Sequence, residues 1–183
     1  TKDDAAYEAA RKAFEARTME KFYTCRVKGC PARKEAVMRA YLRKDAELSR
    51  VSVTDYPARG ALEIVTGYRV MEPGEYARLE VELMTGRTHQ IRVHMAWKGF
   101  PLFNDARYGG ARILKGTTFS KSRQFVENCF ALLPRQALHA RCLGFVHPST
   151  GREVYFESEL PADFRAVLDR WENYAAHVRT DAE

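Results

Sequence analysis

Long apolar runs are missing from this chain of 183 residues. No window approaches the roughly 18 uncharged apolar residues of a membrane-spanning helix, so neither a transmembrane segment nor a membrane partner is expected. The start, Thr1-Lys2-Asp3-Asp4, is polar and acidic and does not resemble a secretory signal. It carries no initiator Met, from which the chain is expected to begin inside a longer protein. Cysteine is scarce: Cys25, Cys30, Cys129 and Cys142 include no C-x-x-C pair. Cys25 and Cys30 flank a turn, with no matching second pair to complete a zinc site. They read as reduced packing cysteines of a cytoplasmic protein. The spacing of His94, His139 and His147 fits no helical H-x-x-x-H pair, so no metal is expected. Repeats and low-complexity tracts are absent. An apolar fraction of 45% with 11% aromatics excludes a disordered tail. The length suits one large domain or two small ones and allows a single core, and one domain over 1–183 is expected.

What the chain does have is charge, unevenly placed. The formal net charge is +6. Between Met84 and Gln124 eight bases face one acid, Asp105, for a local +7. From Glu153 to Glu183 eight acids face three bases, for −5. Such a field suits a polyanion, with nucleic acid first in line. An ordinary solvated face would show the same counts.

Periodicity gives a coarse map. Asp3 is placed to cap a first helix whose apolar positions are Tyr7, Ala10 and Phe14, with Glu8 and Lys12 an i, i+4 pair. Phe22 to Lys28 alternates as a strand. Residues 32–60 are basic and mixed and resist assignment, and Arg39, Arg43 and Lys44 there serve either RNA or solvent. Leu62–Val70 and Ala77–Leu83 read as two strands of an antiparallel hairpin around the turn at 72–75. A helix is predicted over Thr88–Lys98, closed by Gly99. Residues 109–123 read as a loop or insertion. Gln136–Phe145 and Glu153–Leu160 read as strands. Pro161 opens a last helix with Phe164, Val167, Leu168 and Trp171 on one face. Short strand connections favour an α+β fold with a mixed, mainly antiparallel sheet and flanking helices.

The segment Leu83-Met84-Thr85-Gly86-Arg87-Thr88-His89-Gln90-Ile91-Arg92-Val93-His94-Met95 concentrates polar chemistry where a strand ends and a helix begins. A helix start offers free N–H groups and partial positive charge to a phosphate. Arg92 lies about one turn inside, with Ile91 and Met95 as core anchors. A guanidinium held that way pairs with a carboxylate or a phosphate. Chance polar residues at the start of a solvated amphipathic helix would read the same way.

This segment resembles the motif T-G-R-S/T-H-Q-I/L-R-x-H of the pseudouridine synthases of the RluA type. The resemblance extends over nearly the whole chain. Lys21-Phe22-Tyr23 with Val27-Lys28-Gly29 is similar to K-x-Y-x-x-x-V-x-G. Gly99 to Gly109 is similar to G-x-P-I/L-x-G-D-x-x-Y-G, with Asn104 in place of the usual glycine. Arg135 to Ala140, Phe145 to Pro148 and Leu160 to Phe164 are similar to R-x-x-L-H-A, F-x-H-P and L-P-x-D-F/M. The family's H-R-L-D motif, which supplies the nucleophilic aspartate, does not occur in these residues. The chain is therefore expected to be the C-terminal part of a catalytic domain, with an incomplete pseudouridine synthase-like fold.

The resemblance implies an enzyme that isomerises uridine to pseudouridine in RNA, without metal or cofactor. Ribosomal RNA is the first expectation and transfer RNA the second. The target base leaves its stack; an aspartate acts at the ribose C1′; the uracil detaches, rotates and rejoins through C5. Tyr23 matches the tyrosine that packs against the target base and has been proposed to assist proton removal. Arg92 matches the base that pairs with the nucleophile. Arg87, Thr88, His89 and Gln90 are implied contacts to the RNA backbone or flipped nucleotide. These residues alone, without the aspartate, are expected to be inactive. Two other readings stand beside this one: a catalytically inactive RNA-binding relative, and a small-molecule hydrolase using Asp105 or its neighbours, a loop that lacks the second carboxylate of such chemistry.

Overall fold

The computed structural model describes residues 3–45, 50–113 and 120–180. In chain order the elements are α1 (Asp4–Glu15), β1 (Glu20–Arg26), β2 (Glu35–Asp45), β3 (Arg50–Thr54), β4 (Ala61–Glu72), β5 (Arg78–Leu83), α2 (Gln90–Trp97), α3 (Ser120–Leu132), β6 (Leu138–Val146), β7 (Glu153–Glu157) and α4 (Ala162–Thr180). The fold is α+β. Among the described residues seven strands form one sheet in the order β3-β2-β4-β5-β1-β6-β7.

Every ladder between these strands is antiparallel. The mainly antiparallel sheet expected from the sequence is present, and a parallel pair occurs at the isolated bridge between Gly29 and Tyr76. The hairpin connections β4–β5 and β6–β7 are too short for the crossover that a parallel pair requires. The 62–70 and 77–83 hairpin is present as β4 and β5, paired through Tyr68 and Val81 and through Val70 and Leu79. The unassigned stretch 32–60 holds β2 and β3. In β2 the side chains turned to the core are Ala36, Met38, Ala40 and Leu42, while Val37 is exposed. Two alanines inside and a valine outside blur the alternation that marks a strand.

Two further boundaries differ from the sequence reading. The helix α3 begins at Ser120, inside the 109–123 stretch read as loop, and residues 114–119 of that stretch lie outside the described residues. Its buried positions Val126 and Cys129, with Leu133 just past its end, give it a helical face. The strand expected to reach Leu160 stops at Glu157. At the other end, Asp3 caps α1 as expected, accepting the Ala6 N–H at 2.7 Å. The ion pairs on α1 belong to Arg11, which bridges Glu8 and Glu15, and not to Glu8 with Lys12. No residue of α1 is buried, so Tyr7 and Phe14 are left more than half exposed.

Among the described residues three apolar clusters hold the fold. Cys25, Val27, Leu79 and Val81 on one face of the sheet receive Ile91 and Met95 of α2, with Tyr23 packed at the margin. Ala40, Leu42, Val51 and Ile64 receive Val93. Tyr76 and Phe103 meet Val126 and Cys129 of α3, Leu133 just after it, and Phe164, Val167 and Trp171 of α4. The strand β1 lies between β5 and β6, with Tyr23 opposite Val81 on one side and Ala140 on the other. No helix among the described residues is long and apolar enough to cross a membrane.

Candidate active site

The strand β5 leads into α2 through residues 84–89. The predicted helix over Thr88–Lys98 is shorter, because Thr88 lies in a turn and His89, the N-cap residue, adopts φ 56. No side chain caps this end. Gln90 anchors it instead. Its Nε2 donates to Val65 O at 3.0 Å and to Thr66 Oγ1 at 3.1 Å. Its Oε1 accepts from Thr85 Oγ1 at 2.8 Å and from the Arg87 N–H at 3.0 Å. All four hydrogen-bonding positions of the carboxamide are filled. Thr66 Oγ1 continues the chain to His94 Nδ1 at 3.0 Å. Gln90 is 2% exposed and His94 is fully buried. Burial pushes His94 down to about 4, so its imidazole is neutral at pH 7. Gln90 therefore points away from solvent, unlike the nucleotide contact implied for it, and ties α2 to β4.

Arg92 has the opposite orientation. Its Nε donates to Asp105 Oδ2 at 2.8 Å and its Nη2 to Asp105 Oδ1 at 2.9 Å, the bidentate fork that suits a planar guanidinium. The guanidinium lies 5.1 Å from the centre of the Tyr108 ring. The hydrogen bonds to Asp105 push the Arg92 pKa further up. Among the described residues nothing bonds Arg92 Nη1, and 15% of the side chain remains exposed. Asp105 is 1% exposed, and its Oδ1 also accepts the backbone N–H groups of Arg107 and Tyr108. A carboxylate so enclosed and so fully bonded cannot reach a substrate, which removes the hydrolase reading.

The Asp105 loop is tight. The Gly110 N–H donates to Asp105 O at 2.8 Å, and the Asn104 N–H to Gly110 O at 3.1 Å. A Cβ on Gly110 would sit 1.6 Å from Leu102 O, so only glycine fits there. His89 faces the same loop, its Nδ1 2.9 Å from the Tyr108 hydroxyl. Burial, then the charges of Arg92 and Arg107, lower the His89 pKa. Arg87 and Thr88 are exposed beside it. The structure thus brings His89, Arg92, Asp105 and Tyr108 together. Asp105 and Tyr108 were missing from the sequence-derived site, although both lie in the Gly99–Gly109 motif. The signal was Asp105 itself, a lone acid among bases.

Tyr23 reaches this region through packing. It belongs to the cluster that seats Ile91 and Met95, and burial raises the pKa of its phenol. Of the other bases, Arg39 on β2 pairs with Glu63 at 3.3 Å, while Arg43 and Lys44 are exposed.

Comparison with known proteins gives this geometry a family. Residues 1–97 match the family described as RNA pseudouridylate synthase. An uncharacterized RNA pseudouridine synthase of Chlorobaculum parvum is 36% identical over 172 residues, 92% of this chain and 52% of that protein. The ribosomal large subunit pseudouridine synthase D of Vibrio cholerae is 50% identical over 121 residues, 60% of this chain and 36% of that protein. This chain therefore spans about half or less of the length of these relatives. In fold it resembles human RNA pseudouridylate synthase domain containing 4, with a TM-score of 0.67 and 21% identity over 92% of this chain and 68% of that one. The family match takes in β1, β5 and α2 and so contains both Tyr23 and Arg92. The chain belongs to the RNA pseudouridylate synthase family.

Proposed function

We propose that the protein carrying this chain isomerises uridine to pseudouridine in RNA, and that residues 1–183 form one unit of its catalytic domain. The observation that carries this is the state of Arg92. Asp105 engages its Nε and one Nη2 hydrogen and fixes its plane, while Nη1 is left for a second carboxylate. Such a partner would be held ionised by the neighbouring cation. The H-R-L-D motif does not occur in the 183 residues, and this reading takes the nucleophile from elsewhere in the protein that carries them.

In this reading Arg92 orients the carboxylate that acts at the ribose C1′. The N1–C1′ bond breaks, the uracil turns, C5 bonds to C1′, the C5 proton is released to solvent and the freed N1 takes up a proton, so the product is an isomer of the substrate. Tyr23 packs against the base as a neutral phenol, because burial raises its pKa and disfavours a phenolate base. Arg87 and Thr88, exposed at the start of α2, contact the RNA backbone. His89 borders the nucleotide through its bond to Tyr108. Gln90 acts from behind, by fixing α2. Neither metal nor cofactor enters these steps. The name of the Vibrio cholerae relative supports ribosomal RNA as substrate, and the protein is read as cytoplasmic.

The test is release of tritium from the C5 position of uridine in a ribosomal RNA transcript. The reading expects release by the protein carrying this chain together with an upstream H-R-L-D segment, and none by residues 1–183 alone. RNA binding without release by the longer protein would favour the inactive RNA-binding relative.

A further inference from the structure

Asn104 occupies the place where the resemblance has a glycine. Its φ is 56, in the left-handed region that glycine enters freely and asparagine more readily than most other residues. Conformation alone would therefore accept either residue. The side chain adds something glycine lacks. Its Nδ2 donates to Leu133 O at 2.7 Å and to Phe130 O at 3.2 Å, at the C-terminal end of α3. A helix leaves its last carbonyls without intrahelical donors, and a side-chain amide from another segment satisfies them. The next residue is Asp105, whose two oxygens hold the Arg92 fork. One peptide thus links the end of α3 to the clamp.

We propose that Asn104 is a positioning residue that ties the Arg92–Asp105 clamp to the C-terminal end of α3. The geometry of the clamp stands on the structure, and its effect on turnover rests on the isomerase reading above. A bidentate pair tolerates little rotation of the carboxylate. Asp105 owes its orientation to a loop of fewer than ten residues, closed at Gly110 and fastened to α3 through Asn104. With glycine at 104 the loop would keep its φ and lose that fastening. With aspartate it would keep a residue tolerant of this φ, but place acceptor oxygens against the carbonyls of Phe130 and Leu133.

Asn104→Gly and Asn104→Asp separate these roles. Two readouts apply: solvent exchange of the Arg92 Nε–H proton by NMR, and kcat and KM for tritium release. Melting curves confirm that each variant is folded, and Asn104→Gly serves if Asn104→Asp is not. Protection of the Nε–H should fall in the order wild type, Gly, Asp. In the active protein kcat should fall on the order of tenfold for Gly and further for Asp, with KM for RNA little changed. A purely conformational role predicts Gly equal to or better than Asn. Wild-type Nε–H protection in Asn104→Gly would overturn the proposal, as would unchanged kcat in an active protein. If protection falls in the expected order but wild type releases no tritium, the positioning role stands and the isomerase reading fails.

Discussion

Gln90 and Arg92 lie two residues apart on the first turn of α2 and face different partners. Replacing Gln90 with Ala removes its hydrogen bonds to Val65, Thr66, Thr85 and the Arg87 N–H and opens a cavity in a buried site, each lost bond contributing about 0.5–1.5 kcal/mol beside the cavity. The Gln90→Ala melting temperature should drop by roughly 10 °C, from a loss of about 3–4 kcal/mol. The exposed Arg87→Ala should stay within about 0.5 kcal/mol of wild type. Arg92→Ala confounds two effects, because it leaves the buried Asp105 unpaired at about 3–5 kcal/mol. Arg92→Lys keeps the charge and loses the fork, so it is the cleaner probe. His94 gives a pH signature. Burial holds its pKa at about 4 in the fold, against 6.5 for an ordinary imidazole. The unfolded chain therefore takes up the proton first, and stability falls as pH drops from about 6.5 towards 4, by roughly 3 kcal/mol. Urea titrations at several pH values measure this. In His94→Gln that decline should shrink. The resemblance marked these residues as a group, but not which way each side chain turns. Gln90 is buried because Val65 and Thr66 lie beneath it, and nothing near Gln90 in sequence reports on β4.

Among the elements, the loop from Leu102 to Gly110 controls the site most directly. Gly110→Ala places a Cβ on the Leu102 carbonyl, whose oxygen also accepts the Asp105 N–H. The loop must open, and Asp105 must leave Arg92. We expect a loss of at least about 3 kcal/mol by urea unfolding, with Gly109→Ala less severe because it adds only the backbone strain of its φ of 90 and its Cβ meets nothing within 4 Å. The same contrast explains what the sequence reveals about elements. The strand β5 was legible because Leu79 and Val81 alternate with Arg78 and Glu80. In β2 the inward side chains are small or flexible and Val37 faces out, so period-two alternation is lost. The start of α3 was hidden by glycine and threonine at 116–118, which argue locally for a loop.

For the whole molecule, charge is the quantity to test. Part of the excess between Met84 and Gln124 is neutralised in the fold, since Arg92 pairs with Asp105 and Arg123 with Glu127. Arg87, Lys98, Arg107 and Arg112 remain exposed. Binding of structured RNA should weaken with salt, each neutralised phosphate adding about −0.7 to −0.9 to the slope of log K against log salt. Arg87→Ala should flatten the slope and Arg92→Lys should not. A flat slope for wild type would remove this face as the RNA surface. The central claim is that Arg92, fixed by Asp105, holds the carboxylate that acts on the ribose. It is tested most directly by tritium release from C5-labelled uridine in ribosomal RNA, comparing wild type with Arg92→Lys in the protein that carries this chain with its H-R-L-D segment. The account predicts release by wild type, and release slowed on the order of a hundredfold or more in Arg92→Lys with RNA affinity unchanged; release by Arg92→Lys at the wild-type rate would contradict it.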